Sequence, residues 1–277
     1  MNRVLVCGAT GNQGGGLVQA LKDDPNYTVV ALSRDPTSPA ADKLRSQGIE
    51  VVQGNLDSPT SLVSALRGCT AAFLVAPPMQ KNEVEQGKAF VDAAKQAGVE
   101  FLVYSSVEGA ERGAEVETWK AKWAVEEYLR ASGIAYTILR PTGFYQNYGK
   151  TPTFMTRVFL GLSWHYDTHG KTQLISTHDI GRVAALAIRD QARYAGRAIP
   201  LAGDALSMKE IVEVYRREGM KTSILGRVQT AVIHMFLPAA ITKMYIWLRE
   251  TGGFKVDVEA CRAEFGLQTF GEWLAAQ

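Results

Sequence analysis

The sequence predicts an α/β protein: a doubly wound parallel sheet followed by a smaller C-terminal α/β lobe. Three observations predict it. Short runs rich in Val, Ile and Leu alternate with helical patterns from Arg3 to Pro141, as strands covered by helices on both faces of a parallel sheet do. The first run opens into glycines spaced G-x-x-G-x-x-G at Gly8, Gly11 and Gly14. After Tyr148 the alternation loosens and the elements shorten. Residues 1–150 are expected to form the sheet domain and 151–277 the lobe, interleaved with the sheet.

The elements follow in order. Strand Arg3–Cys7 precedes helix Gln13–Lys22, and strand Thr28–Leu32 precedes helix Ala40–Gln47. Strand Ile49–Gln53 leads to helix Pro59–Leu66, with Ser58 as its expected N-cap. Strand Ala71–Val75 is followed by a helix from Lys81 to Ala97, stopped by Gly98. Strand Val99–Ser105 leads to helix Thr118–Ser132, ended by Gly133, and strand Ala135–Arg140 breaks at Pro141. Lys150–Gly170 reads as a lobe loop and Leu174–Ile175 as a short strand. Helix Thr177–Arg189, strand Ala198–Leu201 and helix Ser207–Glu218 come next; Ser207 and Glu210 form a capping-box pattern. Phe270–Ala276 closes the chain as a further element.

The glycine triplet lies after a strand and before a helix, the context of a phosphate-binding turn. Gly8 allows the tight turn, Gly11 lets a pyrophosphate approach the backbone, and Gly14 lets the helix pack on the strand. Unpaired N–H groups of the helix start, with the helix dipole, attract the anion. This is the pattern of a Rossmann-type dinucleotide site. The second strand decides which dinucleotide. An acid there accepts from the ribose hydroxyls of NAD. Here Ser33 and Arg34 stand at that place, and Asp35 comes late. A guanidinium suits a 2′-phosphate, so NADP(H) is expected, with Ser33 as a second donor. Arg34 as a solvated loop charge is the bland alternative.

Composition excludes other classes. The chain has 277 residues, enough for a full core. A net charge of +2 with no Lys/Arg run argues against direct nucleic-acid binding. Three scattered cysteines, Cys7, Cys69 and Cys261, do not make a disulfide framework, and Cys7 is expected to be a buried, inert thiol. No leader is expected, because the first strand begins almost at once, and the Asn26 acceptor pattern is expected to stay unmodified. A reducing, cytoplasmic setting follows. Ala231–Leu248 is apolar, yet His234, Pro238 and Lys243 make it a poor membrane span. It reads as a kinked amphipathic helix pair, or as a partner-binding helix. His165, Asp167 and His169 have metal-like spacing without a shared helical face, and no metal is expected.

These motifs resemble the NmrA-like family of atypical short-chain dehydrogenase/reductases. The carrying residues are Gly8–Gly14, Ser33–Pro36, Gly54–Asp57, Tyr104–Ser106, Lys122 with Val125–Leu129, Leu139–Asn147, His178–Gly181 and Leu201–Asp204. The resemblance spans almost the whole chain. It implies NADP(H) in the cleft at the strand ends. Thr10, Asn12 and Gln13 would contact phosphates, and Arg34 the 2′-phosphate. Asn55 and Leu56 would line the adenine, and Ala76 and Pro77 would pass under the nicotinamide ribose. Lys122 would hold the ribose hydroxyls, and Pro141 to Phe144 would face the nicotinamide.

Typical short-chain dehydrogenases pair that lysine with a tyrosine four residues earlier. Here the position is Thr118, and an aliphatic hydroxyl is a poor general acid. Ser106 or Ser105 could take the family's catalytic-serine place, though serine at a strand end is also ordinary turn chemistry. Tyr145 or Tyr148 could replace the missing acid, or pack at the lobe junction. Trp119 and Trp123 flank Lys122 and wall a pocket or simply pack.

Three functions stand open. The first is an NADPH-dependent reductase of a small carbonyl, quinone or imine, centred on Lys122, with the proton from Tyr145, Tyr148 or water. The second is an NADP(H)-sensing regulator that binds a partner protein. The third is a non-redox cyclase or isomerase on the same scaffold. Lys122 and the aromatic residues favour the reductase; the missing tyrosine favours the other two.

Overall fold

The computed structural model describes residues 2–77, 82–149, 162, 170–219 and 239–277. The expected alternation is present. The elements are β1 (Asn2–Val6), α1 (Asn12–Leu21), β2 (Tyr27–Ser33), α2 (Pro39–Ser46), β3 (Glu50–Gln53), α3 (Pro59–Leu66), β4 (Ala71–Val75), α4 (Glu83–Ala97), β5 (Phe101–Ser105), α5 (Glu117–Ala131) and β6 (Ala135–Pro141). Then come β7 (Gly143–Phe144), a 3-10 turn (Tyr145–Tyr148), β8 (Thr172–Ile175), α6 (Thr177–Arg189), α7 (Gln191–Tyr194), β9 (Ala198–Leu201), β10 (Asp204–Leu206), α8 (Met208–Arg217), α9 (Ala239–Thr251), α10 (Val258–Phe265) and α11 (Phe270–Ala275).

The chain folds as two compact units. The first holds residues 1–107, 121–140 and 177–199; the second holds 108–120, 141–176 and 200–277. The main sheet runs in the order β3-β2-β1-β4-β5-β6-β9. Every pairing from β3 across to β6 is parallel. The reversal of strand order falls between β1 and β4, which is where such sheets bind ligands.

Strand alternation sorts the first unit's core by face. Leu5, Ala72, Leu74, Leu102, Tyr104 and Ile138 pack with Leu62, Phe90, Val125 and Leu129 of α3, α4 and α5. Val4, Val6, Phe101 and Val103, also buried, point to the other face. There α1 and α6 contact each other and the strands. Their approach requires glycine: a Cβ on Gly181 would lie 2.2 Å from the carbonyl carbon of Gly16. Arg189 then closes the α1 end, with Nε 2.9 Å from Asp24 and a terminal nitrogen 2.9 Å from the Ala20 carbonyl.

The second unit carries a small sheet in the order β10-β8-β7, in which β8 pairs parallel with β7 and antiparallel with β10. Tyr145, Tyr148, Tyr215, Phe270 and Trp273 form its buried aromatic core. Ser207 and Glu210 make the expected capping box, and Thr269 with Glu272 makes a second. Trp119 meets Trp247 edge-on, with ring centroids 4.4 Å apart.

Several expectations change. Ser58 sits at the N-cap of α3, but its side chain does not cap. Ser61 Oγ donates to the Ser58 carbonyl instead, at 2.7 Å. The fourth helix, expected from near Lys81, starts at Glu83. Within Ala231–Leu248 the described part is one helix, from Ala239 onwards. His165, Asp167, His169 and most of the Lys150–Gly170 stretch lie outside the described residues. Strands β7 and β10 and helices α7 and α10 were not expected, although Asp257 caps the start of α10 and Gly266 ends it. No described helix is long and apolar enough to cross a membrane.

Candidate functional site

The glycine turn is built as its spacing demands. Gly8 has φ +68°, and a Cβ there would lie 2.8 Å from Val75 Cγ1. A Cβ on Gly14 would lie 2.3 Å from the Gly8 carbonyl oxygen, so no side chain fits. Gly11 N donates to that same oxygen at 2.8 Å and serves as the N-cap of α1. No side chain caps the helix, and its first turn holds no acid. Thr10 and Asn12 are exposed beside it. The helix start therefore presents N–H donors and positive dipole to solvent, which suits an anion.

At the end of β2, Arg34 is exposed, and among the described residues it has no hydrogen-bond or ion-pair partner. Asp35 is engaged in its own turn: Thr37 N and Oγ1 donate to it at 2.9 and 2.6 Å. Those bonds hold its carboxyl below the ordinary range. Ser33 Oγ donates to the Asp35 carbonyl at 2.8 Å. Beyond β3, Asn55 Oδ1 accepts from Asp57 N at 3.1 Å, while Leu56 is buried in the core. Beyond β4, Ala76 is buried and Pro77 exposed; residues 78–81 lie outside the described chain. The Cys7 thiol lies at the foot of the turn, where burial pushes it up to about 11.

The end of β5 separates two adjacent serines by strand parity. Ser105 Oγ donates to Gln13 Oε1 at 2.6 Å. Ser106 turns to the other face and donates to Glu126 Oε1 at 2.5 Å. Glu126 is fully buried and also binds Arg140 through both carboxylate oxygens, at 3.0 and 2.6 Å, and Arg130 at 3.0 Å. Ser106, expected near a reaction centre, thus has its hydroxyl in a buried ion network.

One turn before Glu126 on α5, Lys122 Nζ pairs with Glu83 Oε1 at 2.8 Å. The Glu83 side chain is 2% exposed and Lys122 16%. Tyr104, buried in β5, feels the charges of Glu83 and Glu126. Burial, reinforced by these two charges, raises its hydroxyl well above 10, and it has no hydrogen-bond partner among the described residues. Glu83 escaped sequence reasoning, since its partner is 39 residues away. Glu126 carried a signal only for Arg130, its i,i+4 partner; Ser106 and Arg140 are long-range.

A family model described as the NmrA-like family matches residues 1–274. The chain belongs to the NmrA-like family. The NmrA-like family domain-containing oxidoreductase FrzB of Cladobotryum sp is 31% identical over 206 residues, 68% of this chain and 61% of FrzB. The matched stretch thus spans about three fifths of that relative. Quinone oxidoreductase 2 of Escherichia coli (strain K12) is 31% identical over 211 residues, 73% of this chain and 69% of that protein. The structure of NADPH-dependent quinone oxidoreductase QOR2 from Escherichia coli, complexed with NADPH, superposes with TM-score 0.76 at 23% identity over 99% of both chains. That of NmrA, a negative transcriptional regulator, in complex with NADP, superposes with TM-score 0.75 at 19% identity, covering 99% of this chain and 94% of NmrA. At these identities the structures testify to a shared fold.

The remaining residues that the NmrA-like pattern brings forward lie in the second unit. Pro141 is buried, and Phe144 is half-buried in β7. Tyr145 is 0% exposed; its hydroxyl donates to the Gln268 carbonyl at 3.0 Å, and its ring packs on Phe270 and Trp273. Tyr148 is 3% exposed, and its carbonyl accepts from Tyr215 Oη at 2.5 Å. Both tyrosines are buried in the aromatic core of the second unit. Trp119 packs with Trp247 and Phe254, while Trp123 stacks under Arg130 and Arg140.

Proposed function

We propose that this chain binds NADP(H) and reduces a small quinone-like or other conjugated acceptor. The observation that carries the cofactor half is the pairing of a turn in which Gly8 and Gly14 leave no room for a Cβ with Arg34, which has no partner among the described residues. Helix-start donors suit the pyrophosphate, and a free guanidinium suits the 2′-phosphate. Asp35 comes one residue after Arg34 and gives its Oδ1 to its own turn. Thr10, Asn12 and Gln13 would hold the phosphates, Asn55 the adenine, with Leu56 enclosed in the core beneath, and Lys122 the second ribose. When bound, NADPH supplies a hydride.

The substrate class rests on acid chemistry. Thr118 replaces the usual tyrosine, Ser106 is bound to Glu126, and Tyr145 is bound to a backbone carbonyl. A saturated ketone that accepts hydride becomes a strongly basic alkoxide and needs a proton donor in the transition state. A quinone becomes a delocalised aryloxide, which water can protonate afterwards. FrzB and quinone oxidoreductase 2, each 31% identical, are both named oxidoreductases, which supports this reading over the others. Among the described residues no such acid is placed, and this keeps an NADP(H)-sensing role as the second reading, in which a partner protein takes the substrate's part.

The test is NADPH oxidation by absorbance against quinones and saturated ketones, with wild type and Lys122→Ala. Quinone turnover well above ketone turnover, reduced at least tenfold in the variant, is expected. NADPH binding without turnover of any acceptor moves the assignment to the sensor; ketones turned over as fast as quinones remove the substrate argument.

A further inference from the structure

We propose that Ser105 is a positioning residue that fixes Gln13 as a donor to the nicotinamide half of the dinucleotide; this rests on the NADP(H) reading above. Gln13 belongs to the first turn of α1, directly after β1, whereas Ser105 ends β5. β4 lies between those strands in the sheet. The Gln13 side chain therefore crosses the C-terminal end of β4 to reach Ser105 Oγ, at 2.6 Å. A span of two strand spacings is about 10 Å, and a ligand leaving the glycine turn towards β5 must pass over that stretch.

The bond also orients the amide. Ser105 is 1% exposed, and its hydroxyl donates to Gln13 Oε1. That leaves Nε2 on the opposite side, with two N–H donors and no partner among the described residues. Gln13 itself is half-exposed. Without Ser105 the amide can rotate or flip, and its donors lose their direction. A dinucleotide's second phosphate and ribose supply acceptors there; the adenosine half, towards Arg34 and β2, does not reach this place. Ser105 thus acts on one half of the ligand only.

The experiment titrates the full chain with NADPH and with adenosine 2′,5′-bisphosphate, which carries only the adenosine half. The proteins are wild type, Ser105→Ala, Gln13→Ala, the double variant and Gln13→Glu. Each single alanine variant is expected to weaken NADPH about tenfold and to leave the bisphosphate within about twofold. The double variant should be no weaker than Gln13→Ala, because one interaction is lost in each case. Gln13→Glu keeps an acceptor for Ser105 but replaces the donors by a negative charge, and should also weaken NADPH selectively. Unchanged NADPH affinity in Ser105→Ala overturns the proposal. So does an equal loss for both ligands, which would make the bond a general support of the turn. If wild type binds neither ligand, the dinucleotide reading fails and this assignment with it. If wild type binds both and only the selectivity is absent, the dinucleotide reading stands alone.

Discussion

The glycine-turn edge of the first unit and the aromatic core of the second use polar groups in opposite ways. At the turn, donors are left open: the start of α1 is uncapped, Arg34 has no partner, and Gln13 Nε2 is free among the described residues. In the aromatic core, hydroxyls are closed off. Tyr145 donates to Gln268 and Tyr215 to Tyr148, each within a buried cluster. Burying a polar group without a partner is costly, so a core hydroxyl acquires one. Leaving charged donors exposed costs little in water, and that is how a chain keeps groups ready for an anionic ligand. The contrast separates tyrosines that stabilise from residues that bind.

Three substitutions break or sharpen the contrast. Phe270→Ala removes a fully buried ring that stacks with Trp273. It should cost about 3–5 kcal/mol, read as a fall in the unfolding midpoint in urea. A loss below about 1 kcal/mol would show that the aromatic cluster is not a packed core. Arg34→Ala lies at the open edge and should leave stability within about 0.5 kcal/mol. It should weaken NADPH about 10- to 100-fold and leave NADH nearly unchanged, as loss of a charge-assisted contact does. Equal effects on both cofactors would remove the 2′-phosphate assignment. Tyr145→Phe deletes one hydroxyl and should cost about 1 kcal/mol, with quinone turnover unchanged. Turnover that collapses while the fold is intact would return Tyr145 to the reaction as its acid.

Legibility in the sequence followed the range of the interaction. Gly8, Gly11 and Gly14 were legible because a turn and the helix after it are local, and their spacing carries the geometry. The engagement of Asp35 with Thr37 is equally local, two residues apart. The capping box at Ser207 and Glu210 is legible for the same reason, its partners lying three residues apart. Ser58 takes the expected N-cap place, yet an N-cap position does not force the side chain to cap, and here it makes no cap bond.

The harder cases were long-range. Ser105 and Ser106 are indistinguishable as sequence. Strand parity sends one to Gln13, 92 residues away, and the other to Glu126 on α5. Lys122 was legible only as a family position; its ion pair with Glu83 appears once α4 and α5 pack together. The tyrosines after β6 could have been acids or core, and burial decided for core.

By itself, the sequence determined the strand–helix alternation, the phosphate-type turn and the arginine after the second strand, because hydrophobic period and glycine spacing act within a few residues. Only the tertiary structure decided which serine, which tyrosine and which carboxylate stand near one another. Those choices depend on the face to which each side chain turns and on what packs against it, and burial then requires every polar atom so enclosed to find its partner.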